Sequence, residues 1–350
     1  MEKHSETIIP YLPGSTFPIV RHGLSFEEAC SKHLKITLGC SKAFVVASGS
    51  LSRQTDALTR LENALGSMVV GTHQGMQPHT LLTEVLELAA QVKACRADCL
   101  ITMGGGTIVD AAKIVVFANT RGITTMDALI SKIQEGIQFK GTPPSWEPNR
   151  DSTLLRTVCI PTTLVRGGGG GIGIRGLDHC VESYAGGWRT NAEAQDCAVR
   201  AIRLLLPALL QTIGSPDNFQ ARLLAQQGSM LAVKAALFHH GPAGASHGIG
   251  HQLGPLGVSH GETSAILMPA VAKFNKSAVH AQQKTLLREG FWSEPTIAKV
   301  LLDDGLQEDT ADLSQVLDRI IRALGLPRTL NEVGVGKDKF LQIAENSVND

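Results

Sequence analysis

Two kinds of apolar pattern divide the chain. In its first half, short continuous apolar runs alternate with helical periodicity. Ser25-Phe26-Glu27-Glu28 has the form of a capping box and predicts a helix from Phe26 to about Leu34. Ala43 to Ala47 (AFVVA) is unbroken apolar sequence, as expected of a strand buried on both faces of a parallel sheet. A helix carrying Leu58, Leu61 and Leu65 follows, then a strand from Ser67 to Gly71 and a loop from Thr72 to Pro78. An amphipathic helix from Thr80 to Arg96 sets Leu82, Val85, Leu86 and Leu88 on its apolar side. A third strand, Asp98 to Met103, precedes another helix. Residues 119–150 are polar, contain Pro143, Pro144 and Pro148, and predict an irregular surface excursion. A fourth strand, Leu154 to Ile160, ends in Pro161-Thr162-Thr163. From Leu177 onward the spacing turns helical, with segments at 177–184, 192–210, 220–237, 264–274, 282–287, 295–302, 314–324 and 337–346. The pattern therefore predicts a doubly wound, Rossmann-like α/β domain over residues 1–171 and an all-α domain over residues 172–350.

Candidate chemistry sits at the ends of these elements. Gly104-Gly105-Gly106-Thr107 carries the third strand into a helix, where backbone amides can approach a phosphate and the helix dipole favours its charge. It is not the GxGxxG fingerprint, and such a turn is equally built for tight packing alone. Asp110 and Lys113, three apart, suit a surface pair. Thr162 and Thr163 end a strand, where hydroxyls either face a ligand or cap the turn. The glycine run Gly167 to Gly171 predicts a flexible join, since neither strand nor helix tolerates it cheaply.

The densest signal is the stretch His239 to Thr263, which holds five of the twelve histidines among small residues. On a helix, His247 and His251 would share one face, as two metal ligands or as a ligand and a proton carrier. His260 lies beyond a Gly/Pro turn that could return a third imidazole to them. Taken singly, each is as readily a histidine satisfied by backbone carbonyls.

Composition narrows the setting. With 32 basic and 32 acidic residues there is no net charge to attract nucleic acid or an anionic membrane. Seven cysteines without a CxxC pair suggest reduced thiols. No apolar leader and no run approaching a membrane span is visible, so a cytoplasmic protein with no membrane partner is expected.

In order, GGGT followed by Asp110 and Lys113, then PTT, LDHCVES, the histidine run and LMPAVAKFN resemble the iron-containing alcohol dehydrogenase superfamily. The nearest resemblance is to its maleylacetate reductase branch and fungal relatives. It implies a dehydroquinate synthase-like, iron-type fold that takes NAD(P)H and a divalent metal, Fe2+ or Zn2+, and it goes with a homodimer. By position it implies that Gly104, Gly105, Gly106, Thr107, Asp110, Thr162 and Thr163 serve the cofactor. His179, His247 and His260 would hold the metal, with His251 as a proton carrier beside the substrate. Ser48, where an acidic residue would exclude a 2′-phosphate, joins the cofactor set; with Ser52 and Arg53 near it, the expectation tilts toward NADPH.

Three departures from the family stand out. Arg175 takes the place of the metal aspartate, and a guanidinium polarises a carbonyl or clamps a carboxylate but does not ligate. Asp178, directly before His179, falls on another helix face and is not expected to substitute for it. The segment that normally separates PTT from the LDH helix is replaced by the glycine run, and the family's helical domain usually continues past Asp350. The expected activity is reduction of a carbonyl or enone on a small, acidic molecule, with hydride crossing a cleft between the domains. A dehydroquinate synthase-like lyase and a shortened, non-catalytic relative are the competing readings.

Overall fold

The computed structural model describes residues 5–11, 18–77, 80–137, 155–162 and 171–348. Its internal contacts fall into two units that divide between Thr162 and Thr163.

The first unit begins with an antiparallel hairpin, β1 (Thr7–Pro10) and β2 (Ile19–His22), followed by α1 (Phe26–Ile36). The capping box forms as the sequence predicts: the Ser25 side chain accepts from the Glu28 amide, and Glu28 accepts from the Ser25 amide. Then come β3 (Ala43–Ala47), α2 (Gly49–Gln54), α3 (Ala57–Leu65), β4 (Val69–Gln74) and α4 (Leu82–Ala94). The unit continues through β5 (Cys99–Gly104), α5 (Gly106–Arg121), α6 (Met126–Ile137) and β6 (Arg156–Pro161). Strands β4-β3-β5-β6 form one parallel sheet in that order.

Alternation along the strands builds two cores. Phe44, Val46 and Leu100 face α4, α5 and α6, where Val85, Leu88, Ala111, Val115 and Leu129 pack against them. Ala43, Val45, Ala47, Ile101 and Met103 face α1 and α3 through Leu34, Leu58, Leu61 and Leu65. Gly71 in β4 is required by this packing, because a Cβ there would sit 2.6 Å from the Phe44 ring.

Two sequence expectations are corrected here. The second strand starts and ends later than Ser67 to Gly71, because Gly66–Met68 form a 3-10 turn and the expected loop at Thr72 to Gln74 extends the ladder. The expected excursion after residue 119 contains helix α6, whose Leu129 is fully buried under the sheet. Pro143, Pro144 and Pro148, on which the expected irregularity rests, come after α6 in the chain and lie outside the described residues.

The second unit is helical as expected. It comprises α7 (Gly171–Tyr184), α8 (Ala192–Gly214), α9 (Phe219–Val233), α10 (Ala245–Leu253) and α11 (His260–Asn275). The remaining helices are α12 (His280–Leu286), α13 (Pro295–Asp303), α14 (Leu313–Ala323) and α15 (Phe340–Ser347). Gly171, expected in a flexible join, is the first residue of α7; the other four glycines of the run lie outside the described residues.

Leu205, Leu206 and Leu209 of α8 meet Leu177, Ala225, Met268 and Leu317 in one core. Gly228 of α9 lets the two helices approach: a Cβ there would lie 2.9 Å from the Leu205 amide nitrogen. At 23 residues and a mean hydropathy of 1.4 over its most apolar window, α8 has the length and composition of a membrane span, contrary to the sequence expectation. Half of that window is buried within the unit, so core packing accounts for its apolarity.

Candidate functional site

The parallel sheet has its switch point between β3 and β5, where the chain order reverses and ligands settle at the strand ends in such folds. Several of the expected cofactor residues gather there. The Ser48 amide donates to the Met103 carbonyl at 2.8 Å, and the Thr162 amide donates to the Gly104 carbonyl at 3.3 Å. A Cβ on Gly104 would meet the Ser48 Cβ at 3.1 Å and an Ile108 carbon at 3.0 Å, so only glycine passes without displacement. Gly105 caps α5 and offers no side chain to its first amides, leaving them for another acceptor. The Thr107 carbonyl accepts from the Thr80 hydroxyl. Asp110 pairs with Lys113 at 2.9 Å on the exposed face of α5, and Thr163 lies outside the described residues.

In the helical unit, α7 carries Arg175, Asp178, His179 and Glu182 at spacings of three and four, one stripe along the helix. Glu182 does most of the organising. Its Oε2 accepts from the Gly244 amide at 2.7 Å, and its Oε1 accepts from the Ser246 amide at 2.7 Å. A carboxylate from α7 thereby caps the N-terminus of α10, which has no cap of its own. Gly244 is obligatory in this arrangement, since a Cβ would stand 2.8 Å from Glu182 Oε1. Glu182 Oε2 also lies 2.6 Å from His247 Nδ1, which fixes the imidazole with its proton on Nδ1 and its lone pair on Nε2.

Asp178 completes the support. Its Oδ2 accepts from the Ser246 hydroxyl at 2.9 Å and the Ser264 hydroxyl at 2.7 Å, and lies 3.4 Å from His247 Nδ1. The expectation that Asp178 faces away is therefore corrected: α7 lies against both α10 and α11, so neighbouring positions on it reach the same cluster. Burial, followed by the field of Glu182, pushes Asp178 up to about 6.

Among the described residues, the titratable side chains close enough together to share an ion are Asp178, Glu182 and His247, rather than His179, His247 and His260. Hydrogen bonding argues against reading this trio as a metal centre. Both Glu182 oxygens and Asp178 Oδ2 are already accepting, and His247 Nδ1 is donating. Asp178 and Glu182 are the support of His247.

What the support presents is a pair of imidazoles beside a guanidinium. The rings of His179 and His247 have centroids 4.5 Å apart, tilted by 38°. Nε2 of His247 and Nη1 of Arg175 are both buried without a hydrogen-bond partner. Burial, with the fields of His247 and Arg175, pushes His179 down to about 3, so it is neutral at ordinary pH. Burial likewise pulls Arg175 below its ordinary value, opposed by Asp178 and Glu182. His251, in the last turn of α10, and His260, at the first position of α11, are exposed.

A sign follows for acid stability. A histidine depressed from 6.5 to about 3 contributes fully above pH 6.5, and its contribution is lost as pH falls toward 3, because the unfolded chain takes the proton first. Asp178, raised from 3.8 to about 6, acts oppositely: its contribution is present below pH 3.8 and is lost as pH rises through about 6, so the two effects offset each other over much of the same range. His179→Gln should therefore shift the slope of stability against pH between 6.5 and 4.5 by up to about 1 kcal/mol per pH unit, toward greater stability at the acid end. Urea unfolding at several pH values measures it, and an unchanged slope would show that His179 is not held neutral.

Sequence reasoning missed Glu182, Ser246 and Ser264. The available signals were the four-residue spacing of Asp178 and Glu182 around His179 and the serine directly before His247.

Comparison with known proteins fits this geometry. Residues 23–168 match the family described as iron-containing alcohol dehydrogenase, and residues 172–350 match the C-terminal part of the Fe-containing alcohol dehydrogenase family. Dehydrogenase FUM7 of Gibberella moniliformis is 32% identical over 395 positions, covering 95% of this chain and 91% of the relative. Dehydrogenase ALT3 of Alternaria alternata is 31% identical, covering 89% and 94%. Among solved structures, maleylacetate reductase from a Rhizobium species shares the fold, with a TM-score of 0.66 at 20% identity over 93% of this chain and 88% of that one. Since 95% of 350 residues is about 332, some 60 of the 395 positions aligned with FUM7 have no counterpart in this chain, which is therefore internally shorter. By both domain matches and by its fungal relatives, the chain belongs to the iron-containing alcohol dehydrogenase family.

Proposed function

We propose that the protein is an NAD(P)H-dependent reductase of a carbonyl or enone on a small acidic molecule. The observation that carries this reading is Arg175: a half-buried guanidinium with a buried, unpartnered Nη1, one helical turn from a neutral His179 whose ring packs against His247. Such a group meets a carboxylate or a carbonyl oxygen that gains charge as it is reduced. The bound nicotinamide would supply hydride to the carbon. As the carbon–oxygen π pair moves onto oxygen, Arg175 stabilises the developing charge, and His251 delivers the proton that completes the alcohol, or the saturated carbon of an enone. Relatives named as dehydrogenases favour a reductase over a lyase, and the maleylacetate reductase likeness in fold is compatible with an acidic substrate.

The reading includes a preference for NADPH. Position 48 carries a serine, and the Arg53 guanidinium lies over the turn after β3, its Nη1 2.8 Å from where a Gly49 Cβ would be. A cation without an acidic neighbour in that turn suits a 2′-phosphate. Titrating each nucleotide by its fluorescence tests both statements. Arg53→Ala should weaken NADPH about tenfold and leave NADH unchanged, a loss of about 1.4 kcal/mol. Equal losses for the two nucleotides would remove Arg53 from the phosphate, and no binding of either by the wild type would end the reductase reading in favour of the non-catalytic one.

A further inference from the structure

We infer that the histidine pair in this chain is held without a divalent ion, and that Arg175 supplies the positive charge an ion would bring. The family name and the retained histidines suggest the opposite, but the donor set present does not fit a cation. Arg175 and His179 are four residues apart on α7 and share a face, so the guanidinium stands on the same side of the helix as that imidazole. Arg175 is half-buried, and its Nη1 is buried without a hydrogen-bond partner.

The carboxylates that could offset a second positive charge already face that of Arg175, and of their four oxygens only Asp178 Oδ1 is without a hydrogen-bond partner. Asp178 Oδ2 is held by two serine hydroxyls, and both oxygens of Glu182 cap α10 while one also takes the His247 Nδ1 proton. Two imidazoles and one unpartnered carboxylate oxygen beside an arginine make a poor cation site, because the donors are few and the neighbouring guanidinium repels the ion. The same pair beside a guanidinium suits an oxygen-bearing anion. The position of Arg175 thus converts the site from one that holds a metal to one that needs none.

The inference concerns the site of the proposed reductase, but its test requires no turnover. Wild type and Arg175→Asp would each be equilibrated with Co2+, passed over a desalting column and assayed for cobalt content and for the visible bands of a cobalt–imidazole centre. The wild type should retain well under a tenth of an ion per chain, and Arg175→Asp, with an anion four residues before His179, should gain about one. Adding His247→Ala to Arg175→Asp should abolish that gain. A wild type that holds one ion, lost in His247→Ala, would overturn the inference. So would a folded Arg175→Asp protein, checked by circular dichroism, that gains none, since Arg175 would then not be what excludes the cation. If the wild type holds no ion yet fails to bind nucleotide, the reductase reading falls and this inference stands.

Discussion

Replacing Arg175 with alanine is expected to lower kcat/KM for a carbonyl substrate by about two to three orders of magnitude, with nucleotide affinity unchanged. The size follows from what is removed. The half-buried guanidinium of Arg175 has already met part of its desolvation cost in folding, in keeping with its lowered affinity for the proton. Any charge growing on a substrate oxygen near it is therefore met by a donor that need not reorganise. Arg175→Lys keeps the charge but not the planar fork, so it should recover only part of the loss. Stability should move the other way: losing an incompletely partnered half-buried cation is neutral or favourable to folding, so Arg175→Ala should unfold at the same or higher urea concentration. The pair of measurements decides the matter. Unchanged kcat/KM in the alanine variant would remove Arg175 from catalysis, and a large drop in stability would mark it as a structural cation.

The α/β unit was largely legible in the sequence because its signals are local. AFVVA is buried along its whole length as β3, Ser25 and Glu28 form the box their spacing announces, and GGGT is the strand-to-helix turn between β5 and α5. Helix α6 was obscured by the proline-rich stretch beyond it, although Met126, Leu129 and Ile133 have the right spacing. The site was legible only in its histidines. Glu182 acts on residues 62 to 65 positions away, and no periodicity within α7 reports what α10 needs at its N-terminus. Asp178 was misjudged for a related reason. Adjacent positions point to different sides of one helix, but α7 bonds to residues of both α10 and α11, and Ser246 and Ser264 reach Asp178.

The largest expected effect on folding is at Glu182. Three donors converge on its carboxylate: the amides of Gly244 and Ser246 and Nδ1 of His247. Glu182 and His247 are almost fully buried, so water cannot replace the bonds without opening the unit. Glu182→Ala leaves these donors unpaired and strips α10 of its cap, which should cost about 3–5 kcal/mol in urea unfolding. Glu182→Gln separates the two duties. Its carbonyl oxygen can still accept from an amide, but its NH2 group must face another donor, so part of the stability should return. Activity should still fall in Glu182→Gln as in Glu182→Ala, because neither side chain holds His247 with its lone pair on Nε2. A double-mutant cycle with His247→Ala isolates the pair: a coupling of at least about 1 kcal/mol is expected for a buried carboxylate–imidazole contact. If Glu182→Ala unfolds within about 1 kcal/mol of wild type, the loop before α10 must find other acceptors. Glu182 would then not be what holds His247 against His179.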